Sequence, residues 1–151
     1  MRVVIQRVSE ASVTIDGVLK SSVQQGLLVL AGFENEDTDE DLEWTCKKII
    51  QLRIFNDNKG VMNLSVKEIN GEILVVSQFT LHARTKKGNR PSYINAAPPE
   101  IAIPHYQQFV LTLSEHLGKK VKTGEFGAHM VVQLINDGPV TIIIDSKNKD
   151  F

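Results

Sequence analysis

Cysteine is almost absent from the chain, with Cys46 the only one. No disulfide can close within it and no cysteine-based zinc cage can form, so a reducing compartment is the expectation. Long apolar runs are missing as well. None approaches the roughly 20 residues needed to span a bilayer, and Arg7, Glu10 and Asp16 fall too early for the apolar core of a signal peptide. A cytoplasmic protein with no membrane partner is expected. Excess charge of either sign is the third absence, since 17 Lys and Arg against 18 Asp and Glu leave a formal net charge of -1. A protein that wraps duplex nucleic acid by charge is normally strongly basic, so no DNA partner is expected and any RNA contact must rest on a local patch. Familiar chemical motifs are missing too: there is no Gly-rich phosphate loop, no His-Glu-x-x-His, no Gly-x-Ser-x-Gly and no paired cysteine spacing. His82, His105, His116 and His129 are scattered without an i,i+4 pair, so neither a metal nor a cofactor is expected.

What is present reads as one domain over 1–151, with ordinary globular proportions of 42% hydrophobic and 23% charged residues. The first 33 residues have a strand period of two. Asp16-Gly17 supplies a tight turn, Val18 to Val23 returns, and Leu27 to Ala31 is short and apolar enough for a strand buried on both faces. From Asn35 to Leu52 the period becomes helical, with Leu42, Cys46, Ile49 and Ile50 on one stripe and Thr38 or Asp37 as cap. Ile73 to Phe79 is another buried strand. Pro98-Pro99 opens a second helix carrying Tyr106, Phe109, Val110, Leu113 and Leu117 at helical spacing. Two closing strands, Met130 to Ile135 and Val140 to Asp145, are joined through Asn136 to Pro139. Strands outnumber helices and do not alternate with them. That implies an α+β fold, a compact β-rich domain whose curled, barrel-like mixed or antiparallel sheet is covered by two helices.

Two stretches carry chemistry. Ser77-Gln-Phe-Thr-Leu81 places Ser, Gln and Thr where an apolar strand leaves the core. Backbone N–H groups lose their ladder partners at strand ends and become free to bind a ligand oxygen. The alternative is a strand terminus satisfying its own turn, and the chemistry alone favours it, because a hydroxyl without a neighbouring base is a poor nucleophile. In Asn136-Asp-Gly-Pro-Val-Thr141, a Gly-Pro unit between strong strands must be a turn, an edge or a bulge. Its carbonyl oxygens suit an ammonium group, although spacing alone favours a plain hairpin loop.

Together these stretches resemble the two signature motifs of the D-aminoacyl-tRNA deacylase family, long called D-tyrosyl-tRNA deacylases. The N-terminal Met-Arg-Val-Val-Ile-Gln-Arg-Val, Gly26-Leu-Leu-Val-Leu, Lys47-Lys-Ile, Leu52-Arg-Ile-Phe, Lys87-Gly-Asn-Arg-Pro-Ser92 and Gly124-Glu-Phe-Gly-Ala-His-Met130 follow in family order. The likeness spans essentially the whole chain. It implies a homodimer with active sites at the subunit interface, and D-aminoacyl-tRNA, gripped at its 3′-adenosine end, as substrate.

By the same resemblance, Ser77, Gln78, Phe79 and Thr80 are expected to line the catalytic pocket, with backbone N–H groups around Phe79 and Thr80 on the ester carbonyl. Thr80 is the nucleophile candidate by position, but no His or carboxylate is placed to activate it, so a positioning role is preferred, with the tRNA 2′-hydroxyl assisting the attacking water. Gly138 and Pro139, joined by a cis peptide bond, are expected to enter the partner's pocket as a chiral filter that rejects L-amino acids and leaves glycine accepted. Arg7 matches a family arginine that braces this Gly-Pro segment; its alternative is an exposed strand arginine. Gly127, Ala128 and Met130 match the stretch that receives the terminal adenine, or else line the core at a strand start. Arg84, Lys86, Lys87 and Arg90 are the local basic patch, read as phosphate contacts of the tRNA or as a solvated loop.

Overall fold

Strand β1 (Arg2–Ile15) is the one on which the sheet is built. Its first half pairs antiparallel with β3 (Gly26–Gly32) and its second half with β2 (Val18–Val23), while β8 (Val131–Asp145) runs along nearly the whole of its other side. Beyond β3 the order continues through parallel pairings to β6 (Glu72–Ser77) and β7 (Lys122–Thr123), giving β2-β1-β3-β6-β7. The two ends of this path meet, because the Ser21 hydroxyl of β2 donates to the Thr123 carbonyl of β7 at 2.5 Å. The mixed sheet therefore curls almost into a barrel in this computed structural model, which describes residues 1–150. A small ribbon, β4 (Phe55–Asn56) with β5 (Met62–Leu64), lies off the main sheet.

The curl explains why β3 and β6 carry unbroken apolar runs over 27–31 and 73–76. Val8, Val13, Leu28, Leu74 and Val76 fill the barrel interior, while Val3, Ile5, Leu27, Val29, Ile73 and Val75 face outward under the helices. Successive side chains of a strand point to opposite faces, so two cores draw on alternate residues of the same strands. Burying a Leu, Ile or Val in either contributes roughly 1.5–3 kcal/mol.

Helix α1 (Asp39–Gln51) starts at Thr38, whose side chain and that of Asp41 cap each other's backbone N–H groups. Asp37, the other cap candidate, is buried and instead binds the Met1 ammonium. Helix α2 (Pro99–Leu117) starts with proline at its first position, where the missing N–H costs nothing. The helices pack together through Cys46, whose thiol meets the Phe109 carbonyl at 3.6 Å. Burial pushes the Cys46 thiol up, so it stays protonated.

The short strands β4 and β7 were not expected from the sequence, and the structure also departs from expectation at both motifs. The buried strand ends at Ser77, and Phe79–His82 forms a single 3-10 turn. The expected pair of closing strands is one strand, β8, which keeps its direction through Gly138-Pro139. A hairpin there is excluded because both flanks of β8 pair with the same strand, β1, in one sense.

Candidate active site

The break in β8 is a wide bulge. Gln6 pairs with Thr141 and Val8 with Asn136, so Arg7 alone faces Asp137, Gly138, Pro139 and Val140. Side chains take over the lost ladder bonds. The Asn136 amide oxygen accepts from the Val140 N–H at 3.0 Å, and its nitrogen donates to the Thr141 hydroxyl at 3.1 Å. Arg7, only 7% exposed, donates through Nε to the Asp137 carbonyl at 2.9 Å and through Nη1 to the Ile54 carbonyl at 2.6 Å. Its planar fork suits two fixed carbonyl oxygens in a way a lysine ammonium does not. Glycine is required at 138 because φ is 136°, and a Cβ there would meet Val140 Cγ2 at 2.8 Å and Arg7 Nη2 at 3.1 Å. The Gly138-Pro139 peptide bond is cis. Both residues are exposed, and their carbonyls lie outside the β1–β8 ladder.

The other motif lies at the end of β6. The Gln78 N–H still bonds the Ala31 carbonyl at 2.7 Å, and the next internal bond runs from the Leu81 N–H to the Gln78 carbonyl at 3.2 Å. The N–H groups of Phe79 and Thr80 lie between these and open the 3-10 turn, where a helical turn leaves its first donors without internal partners. Gly32 lets the turn sit close, since a Cβ on it would fall 2.7 Å from the Gln78 carbonyl. Arg2 fastens the far end by donating to the Leu81 carbonyl at 2.7 Å while pairing with Asp145 at 2.7 Å.

Beside this turn is a cavity of about 70 Å³ whose polar wall is Ser77 and Gln78, continued by Phe79 and Gly127. Its apolar wall comes from Phe33, Phe126 and small alanines of β3 and α2. Tyr106 stands behind, edge-on to Phe33 at 6.4 Å and to Phe126 at 5.7 Å, with its hydroxyl on the Val75 carbonyl at 3.1 Å. Burial pushes its phenol up to about 12, so it remains neutral. Thr80 is tied to the same wall, because the Gln78 amide donates to its hydroxyl oxygen at 2.5 Å. No carboxylate or imidazole bonds that hydroxyl among the described residues. The arrangement can bind a carbonyl oxygen and orient a hydroxyl, but it contains no general base.

The predicted residues thus fall into four places. Ser77, Gln78, Phe79 and Gly127 share the cavity, with Thr80 adjoining it. Ala128 is half-buried nearby in sequence, while Met130 packs with the barrel interior, its sulfur filling the space over Gly124. Arg84, Lys86 and Lys87 line a separate open groove of about 280 Å³, with Arg90 exposed in the same loop. Gly138, Pro139 and Arg7 form the bulge and do not line the cavity of their own chain. Of the histidines, His82 is buried in the turn, His105 stacks on Phe33 at 6.2 Å, and His116 meets Glu43 at 3.1 Å. Phe33, Phe126 and Arg2 were not read from the sequence as site residues. Phe126 and Arg2 had a signal, since they sit inside the Gly124 to Met130 and the N-terminal Met-Arg-Val-Val stretches; Phe33 had none.

The sequence pattern of the D-Tyr-tRNA(Tyr) deacylase family matches residues 4–145. A D-aminoacyl-tRNA deacylase of Bacteroides fragilis is 67% identical over 99% of this chain and 100% of its own. One from Flavobacterium psychrophilum is 69% identical over the same shares. Among solved structures, a c-Myc DNA unwinding element binding protein superposes with a TM-score of 0.90 at 42% identity, covering 96% of this chain and 98% of its own. A probable eukaryotic D-amino acid tRNA deacylase, at 18% identity and a TM-score of 0.82, shares the fold. With a family pattern matched almost from end to end and relatives alike over their full length, the chain belongs to the D-Tyr-tRNA(Tyr) deacylase family.

Proposed function

We propose that the chain hydrolyses the ester joining a D-amino acid to the 3′-adenosine of tRNA, releasing both. The observation that carries this reading is the cavity that joins Ser77, Gln78 and Phe79 to Gly127 without any general base. The 151-residue chain acts as a single deacylase domain, in the cytoplasm, consistent with a lone buried thiol at Cys46. The N–H groups of Phe79 and Thr80 hold the ester carbonyl oxygen as negative charge develops on it, a contribution usually among the largest in acyl transfer. Thr80, already accepting from Gln78, donates its proton outward and orients the ester or the water. The attacking water is helped by the ribose 2′-hydroxyl of the substrate, which accounts for a pocket with no triad. Gly127 and Ala128 flank the adenine, and Arg84, Lys86, Lys87 and Arg90 meet phosphates of the acceptor end.

Handedness is read by a second copy. Gly138 and Pro139 reach from one subunit into the partner's cavity, where their carbonyls hold the α-ammonium, and Arg7 keeps the bulge in place. With ammonium and ester both fixed, a D side chain points out and an L side chain meets the wall. Exclusion of this kind discriminates strongly between enantiomers and weakly among side chains, and it leaves glycyl-tRNA as a substrate. Two features support the dimer. The Gly138-Pro139 corner is exposed and does not line its own cavity. The outer edge of β8 has no strand partner among the described residues and carries exposed Val131, Ile135 and Ile143, a combination that natural proteins cover.

The test is ester loss from D-tyrosyl-tRNA and L-tyrosyl-tRNA incubated with the purified protein. Rapid loss from the D form with the L form spared is expected. Equal rates on both, or tight binding without turnover, would overturn the proposal.

A further inference from the structure

Phe79 lines the cavity, yet its side chain also has a contact outside it. It is 55% exposed and lies edge-to-face with Tyr93, itself 38% exposed, at a centroid distance of 5.0 Å and 75° between planes. Such pairs normally close a core; this one faces solvent. Tyr93 is brought there by the loop that carries the basic residues, because Arg84 and Ser92 exchange backbone bonds of 2.8 and 3.0 Å and fold the loop back on itself. Ser92 and Ile94, the two neighbours of Tyr93 in the chain, form the other wall of the groove of Arg84, Lys86 and Lys87. None of these three cations, nor Arg90, is in an ion pair among the described residues.

We infer that the Phe79–Tyr93 pair is a stacking platform for an unpaired RNA base, the nucleotide just before the terminal adenosine, with its phosphate in the Arg84–Lys86–Lys87 groove. Exposed aromatic faces bordered by uncompensated cations are the pattern that binds single strands, because every base has a face to stack and every linkage a charge to meet. A second copy of this chain is a poor occupant, since a symmetric contact would bring the same unpaired cations together. A duplex offers no free base face. The inference rests on the deacylase reading and adds a grip on the substrate one nucleotide away from the reacting ester.

Tyr93→Ala, assayed with D-tyrosyl-tRNA, is expected to raise KM about ten-fold with kcat unchanged. With D-tyrosyl-adenosine, which lacks the preceding nucleotide, it should change neither, and Tyr93→Phe should match wild type on both substrates. If wild type turns over neither substrate, it is the deacylase reading that fails. The platform is then read by binding alone: the fluorescence of Tyr93→Trp should be quenched by the unacylated RNA 5′-ACCA-3′ and not by polyglutamate, against an unchanged Trp44 signal in wild type. Equal KM changes on both substrates, no quenching by the RNA, quenching by polyglutamate, or a change of oligomeric mass in Tyr93→Ala would each overturn the platform.

Discussion

The Gln78 side-chain amide donates a hydrogen bond to the Thr80 hydroxyl oxygen at 2.5 Å. A serine- or threonine-based nucleophile needs the opposite partner, a base that takes its proton. With its oxygen already accepting, Thr80 is arranged to donate. Thr80→Ala should therefore lower kcat on D-tyrosyl-tRNA by less than about 100-fold, measured in single-turnover assays. Loss of all activity would restore Thr80 as the nucleophile and remove the role given to the ribose hydroxyl.

The bulge depends on Arg7 in a way its neighbours cannot replace. Removing the guanidinium leaves the Asp137 and Ile54 carbonyls without their donor, and Arg7→Ala should destabilise the fold by about 3 kcal/mol in denaturant titrations. Arg7→Lys keeps the charge but loses the fork. It should stay folded while kcat/KM on D-tyrosyl-tRNA falls by more than about ten-fold. Unchanged kinetics in folded Arg7→Lys would mean that the geometry of the bulge is irrelevant to catalysis.

Acid sensitivity should come from the end of the molecule where the C-terminal segment meets α1. Lys147 Nζ donates to Asp41 Oδ2 at 2.6 Å. Burial alone would raise the Asp41 carboxyl, but the bonds from Lys147 and Thr38 outweigh it and hold the group well below 3.8. Asp145 is also held low, with Arg2 overcoming burial. Groups depressed in the folded state lend stability that is present above their unfolded pKa and lost as pH falls through the folded one. Lys147 is raised above 10.5, chiefly by its bond to Asp41, so its share persists below that value and fades only on the alkaline side. Tm should be nearly flat from about pH 5 to 9 and fall below about pH 4. Lys147→Met should make the acid fall shallower; an acid limb identical to wild type would contradict this assignment.

Much of this was legible in the sequence because it depends on local pattern. The alternation in β1, the apolar runs of β3 and β6, and the Thr38 and Pro99 helix starts are written in consecutive residues. The curl of the sheet was legible only in outline, since the meeting of Ser21 with Thr123 joins residues a hundred positions apart. Gly138-Pro139 was read as a junction between two strands because proline normally interrupts a ladder. The strand survives through Arg7 and Asn136, whose long-range and local hydrogen bonds no spacing rule reveals. Tyr93 escaped notice for a similar reason: only the folded loop sets it against Phe79.

If one subunit's Gly138-Pro139 corner completes the other's cavity, two inactive variants, one altered at the corner and one in the cavity, should complement each other. Gly138→Leu cannot hold a φ of 136° without strain, and Phe79→Pro removes an N–H proposed to hold the ester oxygen. Co-expressed in equal amounts, they should form hybrid dimers with one intact site each, restoring about a quarter of wild-type activity on D-tyrosyl-tRNA. Hybrid dimers that form, as shown by native mass, but are no more active than either variant alone would place corner and cavity in the same subunit and contradict the account.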